Sequence, residues 1–188
     1  MTHVPSMKSR TGLVPFVPGA LLCALLLLAC RPKEKLIEDG TVFRALSGTQ
    51  SFQLRSVEQR VTKVVVNFFA PDCPPCEKEL PALKQFHRAH AQDPDLLFVS
   101  IGSSLRAVGT ADASAAPGNA EIDSEIMKFI ARFSVDYPQY VAGSAELAAW
   151  RVTGFPETFV FMREGSAWKL KRKFISEITP ENLEDELK

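Results

Sequence analysis

Residues 64–83 read VVVNFFAPDCPPCEKELPAL, and three different patterns meet in them. Val64, Val65, Val66, Phe68 and Phe69 form a near-continuous apolar run from Lys63 to Ala70. Such a run predicts a strand buried on both faces, in a sheet covered by helices. Leu80, Leu83 and Phe86 then recur at helical spacing, which predicts a helix over about 74–89, bent at Pro81 where an interior hydrogen bond is lost. Between strand and helix stand Cys73 and Cys76, separated by Pro74 and Pro75 and preceded by Asp72.

A C-x-x-C pair at the start of a helix has a mechanism of its own. The first turn of a helix carries unpaired N–H groups and partial positive charge. A thiol placed there ionises more easily, with a pKa of about 3.5–7.5 against about 8.5 when free. Cys73, at the exposed tip, is the expected nucleophile. Cys76, one turn in and shielded, is the expected resolving thiol. Pro74 suits a helix start, and Pro75 also lacks an N–H that the first turn would leave unpaired.

Two other readings compete. As a staple the pair is poorly placed, because so short a loop constrains the unfolded chain little. A zinc site is suggested by the spacing C-x2-C-x10-H-x2-H, which brings in His87 and His90. At about 1.5 Å per residue, however, His87 lies about 16 Å along the helix axis from Cys76. Zinc needs its ligands within about 2.3 Å, so the histidines read as solvated helix-face residues.

Outward from this stretch, DLLFVSIG (95–102) predicts a second buried strand, parallel to the first because one helix joins them. Ile122, Ile126, Phe129, Ile130 and Phe133 predict a second amphipathic helix. ETFVFM and AWKLKRKFI flank REGS as a hairpin. In its second strand Trp168, Leu170 and Phe174 alternate with Lys169, Lys171 and Lys173, as on an exposed edge. Thr179 as N-cap and Pro180 at the first helical position open a last helix that carries Leu183 and Leu187. TVFRAL and SFQL flank 47–50 and suggest a small N-terminal hairpin. The fold class is α/β, a mixed central sheet with helices on both faces. Ser103–Ala120, rich in Ala, Gly and Ser, is long for a connection. It leaves the same sheet edge as Cys73, either as a spacer or as a flap over the thiols.

The chain has 188 residues, 46% hydrophobic and 23% charged, with zero formal net charge. That is room for one domain with a real core, and it argues against nucleic acid as a partner. Lys8 and Arg10, followed by the apolar run from Ala20 to Ala29, describe a secretory signal. A transmembrane anchor is the alternative, although spanning needs about 20 apolar residues and Pro15 and Pro18 interrupt any extension. LLAC at 27–30 resembles the lipobox of bacterial lipoproteins, which implies lipidation of Cys30. Residues 1–29 are then a signal peptide, 30–40 a lipidated tether and 41–188 the folded domain. With Lys8, Arg10 and Cys23 removed, the remainder carries net −2, and Cys73 and Cys76 are its only free thiols. An exported domain lives where disulfides persist.

The segment at 64–83 resembles the active-site segment of the TlpA/ResA-type thioredoxin-like family, exported thiol–disulfide oxidoreductases. VTGFPETFVF (152–161) resembles that family's cis-proline segment, and REGSAWKLKRKFI its last hairpin. The likeness runs from about Thr41 to Leu187. It implies a thioredoxin fold, a cis-Pro156 facing the Cys73–Cys76 disulfide, and a Phe155 backbone free to pair with a client strand. Glu79 matches a family glutamate near the thiols, and Asn67 falls where thioredoxin has a buried aspartate. Asp72 departs from the tryptophan usual in the family. Beside a forming thiolate, its charge opposes the pull of the helix terminus.

Asp72, Pro74, Pro75 and Phe155 are thus the expected client-contacting residues, and Cys73, Cys76, Glu79 and Pro156 the expected catalytic ones. The resemblance implies protein thiol or disulfide clients, apocytochromes before haem attachment among them, and an upstream membrane electron donor. The expected location is the outer face of a membrane, with Cys30 as the anchor. No cofactor and no metal is expected. A copper chaperone of the same fold is the alternative from another class, but such proteins use C-x3-C and a distant histidine, and no histidine follows His90. A peroxidase would carry Thr-x-x-Cys ahead of the pair. A non-catalytic binding lipoprotein is the remaining alternative.

Overall fold

The computed structural model describes residues 37–48, 50–109 and 118–188. The signal, the lipobox with Cys30, and positions 110–117 of the expected spacer or flap lie outside the described residues.

The elements are β1 (Arg44–Ala45), β2 (Lys63–Phe69), α1 (Pro74–His90), β3 (Leu96–Gly102), α2 (Asn119–Phe133), β4 (Gln139–Val141), α3 (Ser144–Ala149), β5 (Glu157–Glu164), β6 (Ala167–Ile175) and α4 (Pro180–Glu186). The strands form one mixed six-stranded sheet in the order β1-β4-β3-β2-β5-β6. β2 and β3 are parallel, with Phe69 opposite Gly102, and β2 and β5 are antiparallel, with Asn67 opposite Thr158. The C-terminal ends of β2 and β3 therefore share one edge, and β2 delivers Cys73 there. The architecture is the thioredoxin fold.

The period-two pattern of β2 divides the core. Val64, Val66 and Phe68 pack on one face with Phe43, Trp150, Phe159 and Phe161. Val65 faces the other way, onto Leu83, Phe86, Phe98 and Leu183 of α1, β3 and α4. A third cluster joins Phe69 and Leu80 to Ile122, Ile126 and Phe129 of α2, and it includes both cysteines. Gly102 is what allows α2 to close over the end of β3: a Cβ there would sit 2.6 Å from Ile126 Cδ1 and 3.0 Å from Phe69 Cζ.

Three details differ from the sequence reading. The N-terminal hairpin contracts to a single bridge, Phe43 with Phe52, because the chain turns away at Arg44 and adds β1 to the edge of β4. Ile37 already packs against the first core, ahead of Thr41. The alternation in β6 breaks at Lys171, an extra residue between the pairs Phe161–Leu170 and Val160–Arg172. A bulge of this kind reverses the facing of everything after it. Trp168 therefore packs on the first core and Phe174 on the second, while Lys173 turns in over the Phe159 ring. β4 and α3 have no counterpart in the sequence reading.

Candidate active site

Cys73 and Cys76 form a disulfide with their Cα atoms 5.2 Å apart. Cys73 is the N-cap of α1, and its Sγ accepts a hydrogen bond from Cys76 N–H at 3.2 Å. Pro74 and Pro75 occupy the first two helical positions and have no N–H to offer. The first donor of the helix is therefore that of Cys76, and it points at the Cys73 sulfur. The same contact favours negative charge on Cys73 when the bond is open. The exposed tip expected of Cys73 is closed in this oxidised form: Cys73 is 3% exposed and Cys76 1%. The pair belongs to the apolar cluster of Phe69, Leu80, Ile126 and Phe129, against which Phe155 packs. Pro74 is exposed and Pro75 half-buried, so the outer surface of the motif is proline.

Behind the disulfide lies a buried polar network. Asn67 donates to Glu79 Oε1 at 2.8 Å and to Thr158 Oγ1 at 3.1 Å, and accepts from Ser100 Oγ at 3.1 Å. Both amide N–H groups and the amide oxygen thus have partners, from β3, β5 and α1. Glu79 is 2% exposed, and with Cys76 and Asn67 it lines one small closed gap. Burial pushes its carboxyl up to about 7, against the pull of the Asn67 hydrogen bond. A carboxyl of this kind exchanges its proton near neutral pH, which suits acid–base work beside a thiol. An aspartate at position 67 would set a second negative charge against Glu79, and the amide avoids that conflict.

The Phe155–Pro156 peptide bond is cis. Pro156 is buried, and Phe155 packs against the cluster that holds both cysteines. Glu157, missed in the sequence, is fully buried directly after it and ion-pairs with Lys173. The available signal was a carboxylate opening an otherwise apolar strand.

Asp72 is exposed, at the rim between two shallow hollows. One, of about 270 Å³, includes Ser104, Leu105 and Glu125, and the other, of about 160 Å³, includes Lys128, Phe129 and Arg132. His87 and His90 do not join the thiols. His90 Nε2 lies 2.7 Å from Glu184 Oε1, and His87 Nδ1 lies 4.0 Å from Asp136. Among the described residues, no helix is long and apolar enough to cross a membrane.

Fold and site together define a thioredoxin-fold redox protein, and the comparisons with known proteins agree. Residues 32–187 match the Redoxin family model, and the chain belongs to that family. It is 23% identical over 176 residues to sporulation thiol-disulfide oxidoreductase A of Bacillus subtilis, covering 93% of this chain and 89% of that protein. Among solved structures it is similar to StoA from Bacillus subtilis, with a TM-score of 0.56 at 19% identity over 79% of this chain and 98% of that one. It is likewise similar to a secreted Mycobacterium tuberculosis disulfide oxidoreductase homologous to Escherichia coli DsbE, with a TM-score of 0.56 at 18% identity over 82% and 97% of the two chains. The protein is a thiol–disulfide oxidoreductase.

Proposed function

We propose that the protein exchanges disulfides with exported proteins through Cys73 as nucleophile and Cys76 as resolving thiol, while tethered to the outer face of a membrane. The observation that carries this reading is the Cys76 N–H aimed at the Cys73 sulfur at a helix terminus stripped of competing donors. In the reducing direction, Cys73 thiolate attacks one sulfur of a client disulfide. That S–S bond breaks, a mixed disulfide forms, and the client's other sulfur leaves as thiolate and takes a proton. Cys76, deprotonated with Glu79 as acceptor, attacks the Cys73 sulfur and releases the second client thiol. Two electrons have then passed to the client, and the Cys73–Cys76 disulfide remains. A dithiol donor on the membrane returns the couple to its reduced form. Phe155, Pro156, Asp72, Pro74 and Pro75 line the approach of the client, and apocytochromes awaiting haem are clients of suitable chemistry.

Cys76→Ser leaves Cys73 without its resolver and traps a client as a mixed disulfide, visible on non-reducing gels. Cys73→Ser traps none. Equal trapping by both variants contradicts the roles.

The tether rests on the basic start, the apolar run and LLAC at 27–30. Acyl chains on Cys30 hold the domain at about 0.8 kcal/mol per buried CH₂. Cys30→Ala releases the protein from membranes, and the intact mass of the bound form shows acylation and loss of residues 1–29. A full-length, unacylated chain in the membrane fraction favours an anchoring helix instead.

A further inference from the structure

We propose that buried Glu157 and half-buried Lys173 form a strut that fixes loop 151–156, and with it Phe155, against the Cys73–Cys76 pair, making both positioning residues for the client strand. This rests on the oxidoreductase reading above.

The two side chains tie the two ends of the loop together. Glu157 opens β5 and is 0% exposed. Its Oε1 reaches back over the loop and accepts from Thr153 N–H at 3.1 Å and from the Thr153 hydroxyl at 2.5 Å. Its Oε2 lies 2.9 Å from Lys173 Nζ, an ionic contact rather than a well-directed hydrogen bond. Lys173 Nζ in turn donates to Arg151 O at 2.7 Å, at the residue where the chain enters the loop with φ +53°. A left-handed conformation is uncommon for a residue other than glycine, so a contact at that point has work to do. The ammonium completes its surroundings over the Phe159 ring, 5.1 Å from the centroid.

A buried ion pair in a core often adds little to stability, because desolvation offsets the attraction. Its value here lies in what it is attached to. Among the described residues, every hydrogen bond made by these two side chains goes to loop 151–156. That loop carries Phe155, which packs on both the first core and the cluster of the cysteines. Lys173 can reach it only because the bulge at Lys171 turns position 173 inward. An error of about 1 Å in a positioning element can cost about 100-fold in rate. A client strand that pairs with the Phe155 backbone feels such an error, whereas a small disulfide that touches only the Cys73 sulfur does not need the strand.

The test compares two substrates on the reduced processed protein, in which Cys73 and Cys76 are the only free thiols: a quenched fluorescent peptide closed by one disulfide, and the small aromatic disulfide 5,5′-dithiobis(2-nitrobenzoate). Lys173→Met removes the charge and keeps the stem. The expected result is a rise of about tenfold or more in KM for the peptide, with the ratio of peptide to small-reagent kcat/KM falling by a similar factor. Lys173→Arg returns a cation and restores part of that ratio, although its larger planar guanidinium does not fill the same place. If Lys173→Met does not fold, the pair Glu157→Gln with Lys173→Met leaves no lone buried charge and carries the same expectation. An unchanged ratio, or equal loss on both substrates, overturns the inference and makes the pair an ordinary core contact. A wild-type protein that turns over neither substrate overturns the oxidoreductase reading, and the strut with it.

Discussion

Asn67 sits alone as a polar side chain within the buried run of β2, and its amide ties Glu79 beneath the disulfide to Thr158 and Ser100 of the neighbouring strands. The ionised Glu79 carboxylate is the costly form there, since burial raises its pKa from 4.5 to about 7. A carboxyl with a raised folded-state pKa contributes stability below its unfolded pKa, and that contribution is lost as pH rises through the folded value. The window here runs from about 4.5 to about 7, and the loss is on the order of 3 kcal/mol. Glu79→Gln removes the titration. Urea midpoints measured from pH 4.5 to 8 should fall more for wild type than for the variant, and parallel curves would mean that Glu79 is effectively solvated. At this scale the sequence was readable where chemistry and spacing coincide, as at the Cys73–Cys76 pair, and the cis bond at Pro156 followed only from the family resemblance of 152–161. The Glu157–Lys173 pair was not readable, because sequence alternation assigned Lys173 to the solvent face.

The bulge at Lys171 shows what periodicity omits. A single unpaired residue preserves the strand and hairpin but exchanges the faces of Lys173 and Phe174, and nothing in AWKLKRKFI marks where it falls. β4 and α3 escaped for a different reason. Three residues of strand and six of helix are shorter than the window over which a period can be recognised. The long elements β2, α1, β3, α2, β5 and β6 repeat their patterns enough to be placed. Between β3 and α2 the close approach depends on Gly102, opposite Ile126, which is itself fully buried. Gly102→Ala should cost about 1–3 kcal/mol through overpacking. Ile126→Val in the same chain should recover part of it, read as denaturant midpoints. No loss in the single variant would mean that α2 packs farther from the sheet.

Over the whole molecule, two parallel strands end at one edge, α1 starts there, and β5 brings loop 151–156 to the same place. Sheets of this kind present their functional groups at that edge. The thioredoxin fold could be reached from the sequence because its two most telling segments, 64–83 and 152–161, are also those where backbone geometry and chemistry constrain residue choice most. Everything above requires Cys73–Cys76 to be a working redox couple and not a staple. Equilibration against graded dithiothreitol and glutathione buffers, followed by alkylation and intact mass, measures its potential directly. The expected result is one two-electron transition between about −270 and −120 mV, the range of thiol–disulfide exchange proteins. A disulfide that stays closed below about −300 mV, as structural disulfides of secreted proteins do, would contradict it.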